Sequence, residues 1–349
     1  MKLQTIIFVG SINVGGIADD GETMKNRILV DTLENSKHCK VMLIDTRHRP
    51  VRFLYLLKYF LLLLFLRNSK LVFSASSFVT YKMLRIASLL RFNQDNIYYW
   101  VIGGKFADYV NEGSIPKQMY LKLNKIFVEG DSMVNQLHSL GFQNVIVLPN
   151  FKKIDYIPPK TRNTAYPVRF VFLSRIIPEK GVDLILNAAK VLNGDNENKY
   201  IIDFYGRVDD VYQTKFKKKV EDLPNVRYQG FLSFAENAGY DTLATYDAML
   251  FPTYWVGEGF PGIIIDAYIA GLPIIASDWN LNSQIIKNNK TGVIIPAKDD
   301  ASLIKTMQDI IDGKVEITLM SKFAQNEVRK YDVRHILNDE FFKEIGLYI

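Results

Sequence analysis

Two carboxylates, Glu258 and Asp266, stand eight positions apart in the stretch LFPTYWVGEGFPGIIIDAYIAGLPIIASD, residues 250–278. A pair of acids can do acid–base work together, but these two sit in different settings. The stretch reads as a short apolar strand ending near Phe251, a glycine-flanked loop that carries Glu258, and a helix that contains Asp266. That helix stops at Gly271-Leu272-Pro273, and Ile274-Ile275-Ala276 resumes as a strand. Pro261 suits the first helical turn, where a missing N–H costs nothing. Gly259, Phe260 and the next amides then fall at a helix N-terminus, an electropositive spot suited to a phosphate or to a sugar hydroxyl held by an acid. Most paired acids are solvated surface; these lie in an apolar segment between two strands that read as buried, which favours function.

Two cations, Arg175 and Lys180, lie five positions apart in SRIIPEKGVDLIL, residues 174–186, where a strand turns into a helix. Placed at a strand's carboxyl end beside a helix N-terminus, they suit a diphosphate; the plain alternative is an exposed turn at Glu179-Lys180. In NVGGIADDGETMKNR, residues 13–27, Gly15 and Gly16 follow the first strand and let the backbone approach a ligand. Neither the dinucleotide fingerprint G-x-G-x-x-G nor a P-loop occurs. Asp19, Asp20, Glu22 and Lys25 read most simply as a solvated loop. Gly103-Gly104, with Lys105 next, closes another strand. The run KFKKK, residues 215–219, lies on a predicted amphipathic helix with few aromatics for base stacking, so nucleic acid is discarded as the main partner.

The elements that must position these residues alternate along the chain. Strands are predicted at 5–9, 40–44, 70–73, 97–101, 125–128 and 145–148, with helices at 27–35, 51–67, 78–91, near 116–123 and at 131–140. A second set has strands at 169–173, 200–205, 226–228, 248–251, 274–276 and 293–295. Its helices are at 181–192, 212–221, 234–243, in the segment after Glu258, and at 300–312; Thr291-Gly292 reads as a turn and helices fill 316–346. Such alternation predicts an α/β protein of two Rossmann-like, doubly wound domains with a ligand cleft between them at the carboxyl ends of both sheets. At 349 residues two domains are the natural division. The boundaries are placed at 1–157 and 158–331, with Pro149-Asn150 closing the first half, polar residues 158–163 as linker, and the C-terminal helix 332–349 packing back on the first domain.

Composition is that of a globular protein, 48% hydrophobic and 23% charged. A net charge of +6 points to anionic partners without choosing among them. A single cysteine, Cys39, excludes an internal disulfide, and the scattered His38, His48, His138 and His335 offer no zinc cluster. Met1-Lys2-Leu3 runs straight into a strand, so no signal peptide is expected. The segment VRFLYLLKYFLLLLFLR, residues 51–67, has Arg49, Arg52, Arg67 and Lys70 at its ends. Its uninterrupted apolar run, 59–66, is well short of the ~20 residues a membrane span needs. It reads either as a buried helix or as a helix in the interface of an anionic membrane.

Four segments, SRIIPEKGVD (174–183), NVRYQGFL (225–232), residues 250–278 and TGVIIPAKD (291–299), occur in the order found in retaining, nucleotide-sugar-dependent glycosyltransferases of family four, which have the GT-B fold. The second half of the chain resembles that family; the first half matches in outline, through the glycine pair and LGFQNVIVLPN (140–150). The resemblance implies that Glu258 is the first acid of an E-x7-E motif, contacting the donor sugar, and that Asp266 is the second, holding the ribose hydroxyls. It implies that Arg175 and Lys180 neutralise the donor diphosphate, that amides near Gly259 and Phe260 contact sugar or phosphate, and that Gly15 or Gly16 approaches the phosphate from the other domain. Glu258, Arg175 and Lys180 are thus the expected catalytic set, with a UDP- or GDP-sugar as donor and neither metal nor other cofactor, since the two cations do that charge work.

Three departures stand out. The second acid is Asp; Trp279-Asn280-Leu281-Asn282-Ser283-Gln284 replaces the usual Gly-Gly-x-x-Glu; and the family's first-domain histidine has no counterpart at 98–110. The expected reaction is sugar transfer, with retention, to a hydroxyl of a glycan or polyprenyl-linked acceptor in surface polysaccharide biosynthesis, in the cytoplasm or peripherally on the inner membrane face. The alternatives are a nucleotide-sugar epimerase of the same fold and a degenerate partner subunit. A two-carboxylate glycoside hydrolase is disfavoured, since its chemistry does not call for the Arg175/Lys180 pair.

Overall fold

The computed structural model describes residues 3–16, 20–47, 52–160, 166–194, 196 and 198–348. It divides into two compact units, one of residues 1–153 with 331–349 and one of residues 154–330. Of the residues weighed above, Asp19, His48, Arg49 and the linker positions Thr161-Arg162-Asn163 lie outside the described residues.

The first unit holds strands β1 (Gln4–Gly10), β2 (Cys39–Asp45), β3 (Lys70–Ser74), β4 (Ile97–Trp100), β5 (Lys125–Val128) and β6 (Val145–Val147). Helices α1 (Gly21–Asn35), α2 (Arg52–Phe65), α3 (Ser77–Leu89), α4 (Phe106–Asn111) and α5 (Asp131–Ser139) connect them. The sheet order is β2-β1-β3-β4-β5-β6, every pair parallel. A parallel sheet covered on both faces selects continuous apolar runs over alternation, and all four residues of β4, Ile97-Tyr98-Tyr99-Trp100, are buried.

Two local expectations fail here for identifiable reasons. Helix α1 starts six residues earlier than position 27, because the Asp20 carboxylate caps it by accepting the Thr23 N–H at 2.8 Å. Glu22 and Lys25 are therefore helical, and Lys25 is buried, not a solvated loop residue. The helix expected near 116–123 shrinks to a single 3-10 turn, Lys117–Met119. Asn144 Nδ2 donates to the carbonyls of Tyr120 and Leu123 at 3.1 and 2.7 Å, satisfying acceptors that a longer helix would have satisfied itself. The short α4 had no clear signal.

The second unit holds β7 (Val168–Leu173), β8 (Tyr200–Tyr205), β9 (Val226–Tyr228), β10 (Ala248–Phe251), β11 (Ile274–Ser277) and β12 (Gly292–Ile295). Its helices are α6 (Val182–Leu192), α7 (Gln213–Glu221), α8 (Ala238–Ala244), α9 (Gly262–Ile269), α10 (Asn282–Ile285), α11 (Asp300–Ile311) and α12 (Ile317–Glu327). The order is β12-β11-β10-β7-β8-β9, all parallel, wound outward from the central pair β7 and β10. Phe170, Phe172, Phe204 and Phe216 form its core with Leu303 and Met307 from α11. The expected turn ends at Thr291, and Gly292 opens β12. A Cβ there would lie 2.1 Å from the Ile274 carbonyl oxygen, so strand β11 can approach only a glycine.

After α12 the chain returns to the first unit through α13 (Val333–Ile336) and α14 (Asp339–Glu344). Phe342, Leu347 and Tyr348 join the core made by Phe8, Val72, Trp100 and Phe127. The Tyr98 hydroxyl donates toward the carbonyls of Ile345 at 3.1 Å and Gly346 at 2.8 Å.

Candidate active site

In an open doubly wound sheet a ligand site forms at the carboxyl ends of the strands where the winding reverses, because the two connecting loops diverge there and leave a crevice. In the second unit that point lies between β7 and β10. The loop leaving β7 carries Arg175 and Lys180, and the loop leaving β10 carries Glu258. The two loops are in backbone contact. Gly181 has φ 81°, and a Cβ on it would lie 2.2 Å from the Pro252 carbonyl oxygen. Tyr254 donates its N–H to the Glu179 carbonyl at 2.8 Å.

This contact brings Lys180 and Glu258, 78 residues apart in sequence, into an ion pair between Nζ and Oε2. Both residues are under 10% exposed. Burial pushes the Lys180 ammonium below its usual range, Glu258 opposes that shift, and the charge of Arg175 adds to it. The fully buried Thr253 hydroxyl has one proton for two acceptors, Glu258 Oε2 at 3.2 Å and the Glu179 carbonyl at 3.4 Å, and itself accepts the Trp255 N–H at 3.2 Å. The Arg175 guanidinium carbon lies 5.3 Å from the Trp255 ring centroid, in cation–π range.

The acidic loop is also tied from the β11 side. Asn280 Nδ2 donates to the Glu258 carbonyl at 2.8 Å, and Trp279 Nε1 donates to the Trp255 carbonyl at 2.8 Å. Thr253, Trp255, Trp279 and Asn280 were not among the sequence candidates. The one signal available was the departure at 279–284 itself: a large aromatic and an asparagine replace glycines, and they hold the loop through side chains.

Asp266 has a different partner. It is buried on α9 and accepts the Tyr240 hydroxyl of α8 at 3.1 Å on Oδ1. Burial and the Asp266 carboxylate both push the Tyr240 hydroxyl upward, so it stays protonated and donating. Pro261 is the N-cap of α9, one position before the helical turn predicted for it. Gly259 is half-buried and Phe260 buried just ahead of that cap.

Gly15 and Gly16 belong to the first unit, in the loop leaving β1 at its own winding reversal between β1 and β3. Gly15 takes φ 78° with open space where a Cβ would stand. The loop is gripped from two sides. Asp45, at the end of β2, accepts the N–H groups of Ile12 at 3.1 Å and Val14 at 2.9 Å. Arg27 donates to the carbonyls of Ile12, Asn13 and Gly16 at 2.9, 2.7 and 2.8 Å. Burial works to raise the Asp45 carboxyl, but the backbone donors prevail and hold it below the usual range. Nearby on α1, Lys25 pairs with Glu129 at 2.7 Å, both buried. Glu22 is pushed up to about 7, by burial first and by the charge of Asp20 second. Where the family's first-domain histidine was sought, Tyr98, Tyr99 and Trp100 are core aromatics. Among the described residues no group of three or more His, Cys, Asp or Glu is placed to hold a metal ion.

Two Rossmann-like parallel sheets, each with its polar loops at the winding reversal, define a GT-B protein. Sucrose-phosphate synthase from Thermosynechococcus elongatus has this fold, with TM-score 0.75 at 14% identity over 98% of this chain and 99% of that one. Residues 155–329 match the sequence profile of the glycosyl transferases group 1, and the chain belongs to that family. An uncharacterized 41.2 kDa protein from the cps region of Klebsiella pneumoniae is 26% identical over 195 residues, 54% of this chain and 51% of that protein. The Escherichia coli UDP-Gal:alpha-D-GlcNAc-diphosphoundecaprenol alpha-1,3-galactosyltransferase is 29% identical over 162 residues, 46% of this chain and 40% of its own length. The matches thus span about half or less of each of these curated relatives.

Proposed function

We propose that the chain transfers a sugar from a UDP- or GDP-sugar to a hydroxyl of a glycan or polyprenyl-linked acceptor, with retention at the anomeric carbon, in surface polysaccharide biosynthesis at the cytoplasmic membrane face. The observation that carries this reading is the buried Lys180–Glu258 pair beside Arg175, at the winding reversal of the unit that matches the family. Taking two charges out of water is costly, and an apolar pair of similar volume would serve stability as well or better. A pair kept at such a position is therefore read as functional. The name of the E. coli relative, with its UDP-sugar donor and polyprenyl diphosphate-linked acceptor, agrees with the substrate classes.

In this reading Arg175 and Lys180 meet the negative charge that develops on the leaving diphosphate, and the barrier falls because that charge is greatest in the transition state. No metal is required for it. Glu258, its other oxygen available to a sugar hydroxyl, orients the donor while positive character builds at the anomeric carbon. The acceptor hydroxyl attacks from the face the diphosphate leaves: the bond from the anomeric carbon to the diphosphate oxygen breaks, the bond to the acceptor oxygen forms, and the hydroxyl proton passes to the departing diphosphate. Asp266 takes the ribose hydroxyls, with Tyr240 fixing its orientation, and the amides near Gly259 and Phe260 serve sugar or phosphate.

The test is turnover of UDP- and GDP-sugars, by transfer or hydrolysis, in Glu258→Gln and Lys180→Ala. Each loses a charge-stabilising contact, so a fall of about 10²–10³ is expected; wild-type rates in both variants overturn the assignment. Tight binding of UDP or GDP by the wild-type chain with no turnover of any donor would instead identify a degenerate partner subunit.

A further inference from the structure

No helix among the described residues is long and apolar enough to cross a membrane, yet α2 carries a strongly apolar outer face. Among its described side chains only Tyr59 and Leu63, one turn apart, are fully buried, and the Tyr59 hydroxyl ties the helix to α3 by donating to the Met83 carbonyl at 3.0 Å. Phe53, Leu54, Leu57, Leu61 and Phe65 share the opposite half of the helix, with Phe60 at its flank, and all are exposed, Phe53 at 76% and Phe65 at 78%. A soluble surface rarely leaves so contiguous a patch bare. Lys58, the one cation within the run, bends back to the Leu43 carbonyl at 3.1 Å and so leaves the face apolar. The strip continues toward edge strand β2 in an open groove of about 520 Å³ lined by Met42, Leu54, Leu57, Leu61 and Phe65 among others.

Charge decides what covers this face. Residues 46–94, which include all of α2 and α3, contain nine Lys and Arg and no Asp or Glu. Lys82 and Arg85 are exposed on α3, and Arg67 and Arg91 are exposed where the two helices end together, Arg67 donating to the Leu90 carbonyl at 2.7 Å. An isologous dimer would set this patch against its own copy, bringing cations toward cations with no acid from the same segment to offset them. An anionic lipid surface offers the complement to both features, headgroup phosphates for the cations and an acyl boundary for the Phe and Leu side chains.

We propose that α2 lies in the interface of an anionic bilayer, flanked by the cations of α3. This rests on the reading that the acceptor is lipid-linked and gives that reading its means of delivery: the first unit docks where such an acceptor resides.

The test is co-sedimentation of the full chain with phosphatidylglycerol and phosphatidylcholine vesicles. The wild-type chain is expected to bind the anionic vesicles at low salt, more weakly as salt rises, and to bind phosphatidylcholine poorly. Each lost cation should weaken partitioning about fivefold, so Lys82→Glu/Arg85→Glu should weaken it more than about twentyfold. Phe60→Ser/Phe65→Ser should lose binding too, while Val211→Ser, fully solvated on the second unit, should bind as wild type. A Phe65→Cys chain carrying an environment-sensitive fluorophore keeps the fold otherwise intact, with Cys39 buried away from the label, and should shift to the blue on anionic vesicles. Absence of binding to anionic vesicles, wild-type binding by both double variants, or a concentration-dependent dimer abolished by Phe60→Ser/Phe65→Ser each overturns the proposal. Donor hydrolysis in solution, unchanged in these variants, separates a failure here from a failure of the glycosyltransferase reading.

Discussion

The buried pair of Lys180 and Glu258 bears on stability and on turnover together. Burial disfavours the Lys180 ammonium, and the Glu258 carboxylate paired with it opposes that shift. Removing one leaves its partner as an uncompensated buried charge, so single variants will lose stability as well as rate, and the two effects need separate measurement. A carboxyl in the first unit behaves differently. Glu22 is held near 7 where an unhindered glutamate titrates near 4.5. Between those values the unfolded chain has released this proton and the folded chain has not, so the group's contribution is full below pH 4.5 and is lost as pH rises through 7. Glu22→Gln removes that penalty. Urea unfolding of the first unit should show the variant gaining on the wild type by about 2 kcal/mol between pH 5 and pH 8. A difference that does not change with pH would refute the buried, Asp20-facing setting of Glu22.

At the scale of elements, what matters is how the loops after β7 and β10 are locked together. Gly181 is the hinge of that contact, since its φ of 81° and the 2.2 Å separation its Cβ would have from Pro252 oxygen both exclude a side chain. Gly181→Ala is therefore expected to destabilise the second unit by about 1–3 kcal/mol. It should also separate Lys180 from Glu258. Calorimetry and donor turnover on the same sample check this, and a variant that melts and turns over as wild type would show the loops to be independent. Helix α2 is instructive at this scale too. Its sequence allowed both a buried helix and an interfacial one; in the structure Tyr59 and Leu63 are core while Phe53 and Phe65 are bare, so burial accounts for one face of the helix and not for the other.

For the whole molecule, the last segment of the chain completes the first unit. Phe342, Ile345, Leu347 and Tyr348 are buried there, and at about 1.5–3 kcal/mol for each large apolar side chain their removal approaches a domain's entire stability. Truncation after Lys330 should therefore unfold the first unit while residues 154–330, with their own core, remain folded. Limited proteolysis should degrade the first 153 residues and leave a resistant fragment of the second unit. Survival of both units would mean the returning segment contributes little to that core.

Much of this architecture was legible in the order of residues. Apolar runs too short for helices marked the strands to within one or two positions, because parallel strands buried on both faces select uninterrupted apolar sequence. The motifs around Arg175, Lys180 and Glu258 were visible because glycine, proline and charge at strand ends have few uses. Helix α1 was partly missed because its first turn is polar on a side that packs inward, where Thr23, Lys25 and Asn26 find partners that local sequence cannot announce. The pairing of Lys180 with Glu258, the grip of Asn280 and Trp279 on the acidic loop, and the placing of Asp266 against Tyr240 were decided only by tertiary structure. They depend on β10 lying beside β7 with β8 and β9 displaced to the other side, and strand order is set by long-range packing that local sequence does not encode.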